Sequence, residues 1–124
     1  MTTWLRFEHH GIAGFGTLDG EVITEHQGDL FGSASPTGRR LALGDVRITL
    51  PCRPSKFLAL WNNDHAQAAK QGLAIPPEPL YFIKAASSYR AHGQTIEVPS
   101  SYDGRVVYEG ELGLVIGKVC KNLS

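Results

Sequence analysis

The chain has 124 residues, 42% of them hydrophobic and 19% charged, a globular mixture rather than a disordered one. Twelve Lys and Arg balance twelve Asp and Glu, six of each sign in residues 1–62 and six of each in residues 63–124. Neither half therefore has the basic face of a nucleic-acid module or a polybasic membrane segment.

The longest apolar runs, such as Phe57-Leu58-Ala59-Leu60-Trp61, reach about five residues, against about 18 for a bilayer span. Met1-Thr2-Thr3-Trp4-Leu5-Arg6 lacks the basic patch and apolar stretch of a secretory leader. Cys52 and Cys120 form neither a disulfide framework nor a zinc-ribbon spacing. They read as reduced thiols, which places the protein in the cytoplasm.

In chain order, Thr3 to Glu8 reads as a strand and His9-His10-Gly11 as a turn. Ile12 to Leu18 follows as a second strand. Asp19-Gly20 then precedes the alternating run Glu21-Val22-Ile23-Thr24, a hairpin signal of the type I′ kind. Residues 3–26 are expected to form an antiparallel meander. Gly14-Phe15-Gly16 lacks the third glycine and following helix of a nucleotide fingerprint. Residues 27–40, rich in Gly, Ser and Pro, read as a loop, with Arg39-Arg40 in solvent. Val46 to Leu50 alternates as a half-buried strand, and Pro51 to Pro54 breaks it.

Lys56 to Trp61 reads as a buried strand. Asn62-Asn63-Asp64 stops it and supplies a helix N-cap. His65-Ala66-Gln67-Ala68-Ala69-Lys70-Gln71 is a short helix, with Gly72 at its C-terminal end. Ile75 to Pro79 is an extended connector. Leu80 to Ile83 reads as a strand ending at Lys84, and Thr95 to Val98 as another. Arg105 to Lys118 is the longest strand pattern. There Val106, Tyr108, Leu112, Leu114 and Ile116 share one face, while Glu109 and Glu111 share the other, about 6.7 Å apart at ~3.3 Å per residue. Two carboxylates so placed repel one another unless water or a cation intervenes. A hard divalent cation meets that need through oxygen ligands. On spacing alone, a strand with one wet face is the more ordinary account.

The run Tyr108-Glu109-Gly110-Glu111-Leu112-Gly113-Leu114-Val115-Ile116-Gly117-Lys118 resembles the metal-binding strand of the fumarylacetoacetate hydrolase family. Four further segments resemble that family in the same order. Gly28-Asp29-Leu30-Phe31-Gly32 with Pro36-Thr37-Gly38 is similar to its small N-terminal domain, and Arg53-Pro54-Ser55-Lys56 to the entry into its catalytic core. Asn63-Asp64-His65-Ala66 is similar to its lid segment, and Pro76 to Lys84 to its Pro-x-x-Pro-x-x-Phe-x-Lys run.

The resemblance implies an α+β, mostly β fold. Residues 1–52 would form a small N-terminal meander domain, and residues 53–124 the first part of a fumarylacetoacetase-like mixed β-sandwich roll. It implies a Mg²⁺ or Mn²⁺ enzyme acting on a 2-oxo acid or 1,3-diketone, as a C–C hydrolase or a related decarboxylase or isomerase, and a homodimer. No nucleic-acid or membrane partner is expected. Glu109 and Glu111 match two metal ligands, His65 the catalytic lid histidine, and Lys84 a substrate-side lysine.

Departures from the family pattern stand beside these matches. Ala68 occupies the place of the glutamate that partners the lid histidine. Ala85 replaces a proline after the strand lysine, and Trp61 precedes Asn62-Asn63. The chain stops at Ser124, before the family's third ligand, an aspartate, so it is expected to be part of a longer protein. The contrasting expectation is a non-catalytic remnant or interaction module.

Overall fold

The computed structural model describes residues 1–122. The chain divides into two units, one of Met1–Pro51 with the stretch from Ala91 onward, the other Cys52–Arg90. The architecture is mostly β with antiparallel sheets.

The first unit holds a five-stranded antiparallel sheet in the order β4-β3-β2-β1-β5. Its strands are β1 (Thr3–His9), β2 (Ile12–Asp19), β3 (Val22–Gly28), β4 (Ala34–Ala42) and β5 (Arg47–Ile48). One face carries the core. Leu5, Phe7 and Ile23 are buried, with Leu18, Leu41, Leu43, Val46 and Ile48 packed around them. Gly14 and Gly16 pair with Phe7 and Leu5 and exist to let large groups approach. A Cβ at Gly14 would stand 2.8 Å from the Phe7 ring, and one at Gly16 would collide with the Thr24 carbonyl of the next strand. The two glycines thus serve packing, as their missing nucleotide context required.

The turns follow from backbone sign. His10 and Gly11, between β1 and β2, both take positive φ (49° and 79°), the requirement of a type I′ hairpin. The next turn departs from the expectation for Asp19-Gly20. Asp19 pairs with Val22, so Gly20 and Glu21 make the turn. Only Gly20 is in the left-handed region (φ 56°), the type II′ pattern of Gly first.

Residues 27–40 also depart from expectation. The loop is confined to residues 29–33, since β3 runs to Gly28 and β4 begins at Ala34. Pro36 and Gly38 lower strand propensity, but pairing with β3 overrides it, with a register shift between Thr24 and His26. Arg39 is therefore on a strand, not in a loop. Its Nη1 lies 3.5 Å from Glu25 Oε1 and its Nη2 2.9 Å from His9 Nδ1, while the Thr37 hydroxyl donates to Glu25 Oε2 at 3.0 Å. The expected strand Val46 to Leu50 shortens to two paired residues, extended by Thr49 N–H donating to the Arg6 carbonyl at 2.9 Å.

The second unit is a two-stranded antiparallel sheet of β6 (Phe57–Trp61) and β7 (Leu80–Lys84), with helix α1 (His65–Gln71) between them in sequence. Its buried apolar residues are Ala59 and Ala68. The remaining strand residues are exposed on both faces.

From Ala91 onward no helix or strand occurs among the described residues. The expected strands Thr95 to Val98 and Arg105 to Lys118 are therefore not formed. Alternation of apolar side chains selects a face, but a strand persists only when its N–H and C=O groups have a neighbour to pair with. Neither segment joins a sheet among the described residues. Among the described residues no helix is long and apolar enough to cross a membrane.

Candidate functional site

His65 is the first residue of α1. Its position is set by the cap before it. Asp64, in extended conformation, accepts a hydrogen bond from the Gln67 N–H at 2.7 Å, satisfying one of the free donors of the first turn. The far end closes on Gly72 in the left-handed region (φ 67°), whose N–H donates to the carbonyls of Ala68 and Ala69, and Leu73 N–H donates to Ala68 O at 2.9 Å. This glycine closure frees the chain to turn away, and Lys70 lies in the last turn where a cation suits the helix dipole. The His65 imidazole is exposed. Ala68, where a carboxylate partner for it would stand, is buried in the same helix.

Lys84 ends β7 opposite Phe57. Its ammonium sits 4.8 Å from the centroid of the Phe82 ring, two residues back on the same face, a cation–π contact. The Phe57 ring lies 5.7 Å from that of Tyr89. His65 and Lys84 thus share the unit Cys52–Arg90.

Glu109 and Glu111 are exposed and lie outside any helix or strand. A Cβ at Gly110 or Gly113 would meet nothing within 4 Å, so the surroundings of both carboxylates are open. The strand that was to project them together is absent, for the reason given above. No group of three or more His, Cys, Asp or Glu side chains gathers to hold a metal among the described residues. The donor set nevertheless fits Mg²⁺ or Mn²⁺ in kind, since both side chains offer hard oxygen ligands and water can fill further positions.

Two surface depressions lie elsewhere, one lined by Glu21, Arg47, Ile48 and His92, the other by Ile96, Val98, Tyr102 and Val106. Neither includes a candidate residue. Cys52 and Cys120 are free thiols.

One residue that sequence reading passed over belongs with His65. Asn62 was grouped with the polar stop after β6, yet it takes φ of 56° and its Nδ2 donates to the Ala74 carbonyl at 2.8 Å. The available signal was the residue type. Asn is enriched several-fold at positive φ among residues other than glycine.

Comparison with known proteins joins these segments. Residues 56–124, more than half of the chain, match the family model for the fumarylacetoacetate (FAA) hydrolase C-terminal domain. The chain belongs to the fumarylacetoacetate hydrolase family. Residues 3–51 match the model described as Rv2993c-like, N-terminal. Protein Rv2993c of Mycobacterium tuberculosis is 32% identical over 123 residues, covering 91% of this chain and 44% of that protein. An Arabidopsis thaliana relative named mitochondrial oxaloacetate tautomerase FAHD1 is 39% identical over 69 residues, covering 56% of this chain and 30% of its own. A solved structure from Mycobacterium abscessus superposes with a TM-score of 0.57 at 33% identity, covering 71% of this chain and 34% of that one. A Mycobacterium marinum isomerase structure, at 23% identity and a TM-score of 0.58, shares the fold. The chain spans less than half the length of the curated relatives it matches.

Proposed function

We propose that this fumarylacetoacetate hydrolase family member is a divalent-metal-dependent enzyme that moves a proton at the carbon beside the carbonyl of a 2-oxo acid or 1,3-dicarbonyl compound. The observation that carries the reading is the pair Glu109 and Glu111, two hard carboxylates within the segment matched by the family model. When bound, Mg²⁺ or Mn²⁺ supplies positive charge where an enolate oxygen becomes electron-rich.

The chain's own residues then divide the work. Glu109 and Glu111 hold the cation. The His65 imidazole takes the proton from carbon or returns it. The Lys84 ammonium binds the substrate carboxylate, leaving the Phe82 ring to do so. Ala68 supports proton transfer over hydrolysis, because it leaves the histidine without a carboxylate partner for activating water. The name of the Arabidopsis relative, an oxaloacetate tautomerase, supports the same choice. C–C bond hydrolysis is the second reading, favoured by the family model's own description as a hydrolase. We further propose a cytoplasmic homodimer.

Oxaloacetate enol–keto conversion in the presence of Mg²⁺ tests the proposal. Turnover is expected to disappear with EDTA and to fall at least about a hundredfold in Glu109→Gln, the scale of losing one charge-stabilising element. Turnover unchanged by both removes the metal from the mechanism. Cleavage of acylpyruvate to two products, without tautomerisation, selects hydrolysis instead.

A further inference from the structure

The excursion that carries His65 leaves β6 at Asn62 and ends at Ala74, and one side chain ties its two ends. Asn62 Nδ2 donates to the Ala74 carbonyl at 2.8 Å across twelve positions of sequence. Between these ends stand the Asp64 cap, the seven residues of α1 and the left-handed Gly72. A helix this short does not hold itself in water, and only Ala68 of it is buried. Its placement therefore depends on how its ends are fixed. The exit has Gly72 and the bond from Leu73 N–H to Ala68 O. The entrance has Asn62, in the left-handed region that Asn tolerates better than most side chains.

We propose that Asn62 is a positioning residue for His65. Its amide tethers the start of the excursion to its end, and this fixes where the imidazole-bearing first turn stands. The inference rests on the reading of His65 as the proton-handling group. The plainer account makes Asn62 a turn residue valued only for its tolerance of positive φ.

Two variants of the 124-residue chain separate these accounts. Asn62→Gly keeps the left-handed conformation and removes the donor. Asn62→Asp keeps a side chain of the same shape and replaces the donor with an acceptor facing the Ala74 carbonyl. Amide hydrogen exchange is expected to quicken about fivefold at Ala68, Gly72 and Leu73 in both, the scale of one net hydrogen bond, with the amides of β6 and β7 unchanged. Wild-type exchange in Asn62→Gly overturns the tether. So does a quickening spread equally over β6 and β7, which marks general destabilisation.

Turnover of oxaloacetate supplies the readout that a structural role alone does not move. Asn62→Gly is expected to lower kcat between about tenfold and a hundredfold with KM little changed, as small misplacements of a reacting group do. Combined with His65→Ala it should add no further loss, because it acts through that imidazole. Additive losses overturn the proposal. If His65→Ala leaves turnover intact, or the unsubstituted protein has none, the functional reading of His65 falls, and hydrogen exchange alone decides the tether.

Discussion

In the five-stranded sheet Leu5, Phe7 and Ile23 are 8%, 1% and 0% exposed, whereas in the two-stranded sheet Leu58, Tyr81 and Ile83 are 50%, 67% and 70% exposed. The less buried strands are the more apolar ones, with nine hydrophobic residues of ten in β6 and β7 against nine of 22 in β1, β2 and β3, so hydrophobic content does not explain the contrast. Pattern does. In β1, β2 and β3 one face gathers Leu5, Phe7, Leu18 and Ile23, with glycines opposite Leu5 and Phe7, while the other mixes Trp4 and Phe15 with Arg6, Glu8 and Thr17. In β6 and β7 both faces are almost wholly apolar, the signature of strands meant to be covered on each side.

The edges differ in the same way. β4, at one border of the larger sheet, carries Pro36, Gly38 with φ of 88°, Arg39 and Arg40, and β5 at the other border has two residues. Such edges resist pairing with another chain. Every strand of the smaller sheet is an edge, and neither Pro nor a mid-strand charge guards it.

The strongest way to break the comparison is to empty a large, fully buried position of the larger sheet. Phe7→Ala should cost about 3–5 kcal/mol, enough to unfold the N-terminal unit, read by urea denaturation. Ile83→Ala, the matching truncation in the smaller sheet, should cost less than about 0.5 kcal/mol, as exposed substitutions do. Similar losses at both positions would mean that the smaller sheet is covered in solution, for example by a second copy. Next in size comes Gly16→Ala. Its Cβ has nowhere to go but into the Thr24 carbonyl and the Ile23 side chain. Overpacking of this kind should cost about 1–3 kcal/mol. An unchanged urea midpoint would show that β2 and β3 can part without penalty.

The same contrast explains what could be read from the residues. The meander was legible because its alternation, its turn residues and its pairing partners all lie within 50 residues. The helix was legible from Asp64 and Gly72, which act locally. β4 was not, since Pro36 and Gly38 speak against a strand and only β3 beside it decides otherwise. Arg105 to Lys118 failed in the opposite direction. Its strand pattern is the longest in the chain, and alternation cannot provide the neighbouring backbone that a strand needs.

At the candidate site, chemistry was legible and support was not. His65, Lys84, Glu109 and Glu111 stand out by motif, whereas the Asn62 tether depends on a contact twelve residues away that no pattern announces. Asp64→Ala sharpens this point with a smaller effect. Losing the cap should cost about 1 kcal/mol, seen as faster exchange within α1 while the urea transition of the N-terminal unit stays in place. A coincident shift of that transition would contradict the division into two units.

The smallest effect belongs to the ion pair between Arg47 and Glu8, which joins β5 to β1 at 2.6 Å with side chains 57% and 36% exposed. Its geometry is close, and β5 has only two paired residues, so one could expect the pair to hold that border of the sheet. Solvent argues otherwise. Exposed pairs gain little, because water screens the attraction and ordering two long side chains costs entropy. The border is held instead by Ile48 packing beside the Phe7 core and by the backbone bond from Thr49 to Arg6. Arg47→Ala should therefore move stability by under about 1 kcal/mol, and raising salt should shrink even that difference. A larger, salt-insensitive loss would show that the β5 border depends on the charge pair rather than on the Phe7 core.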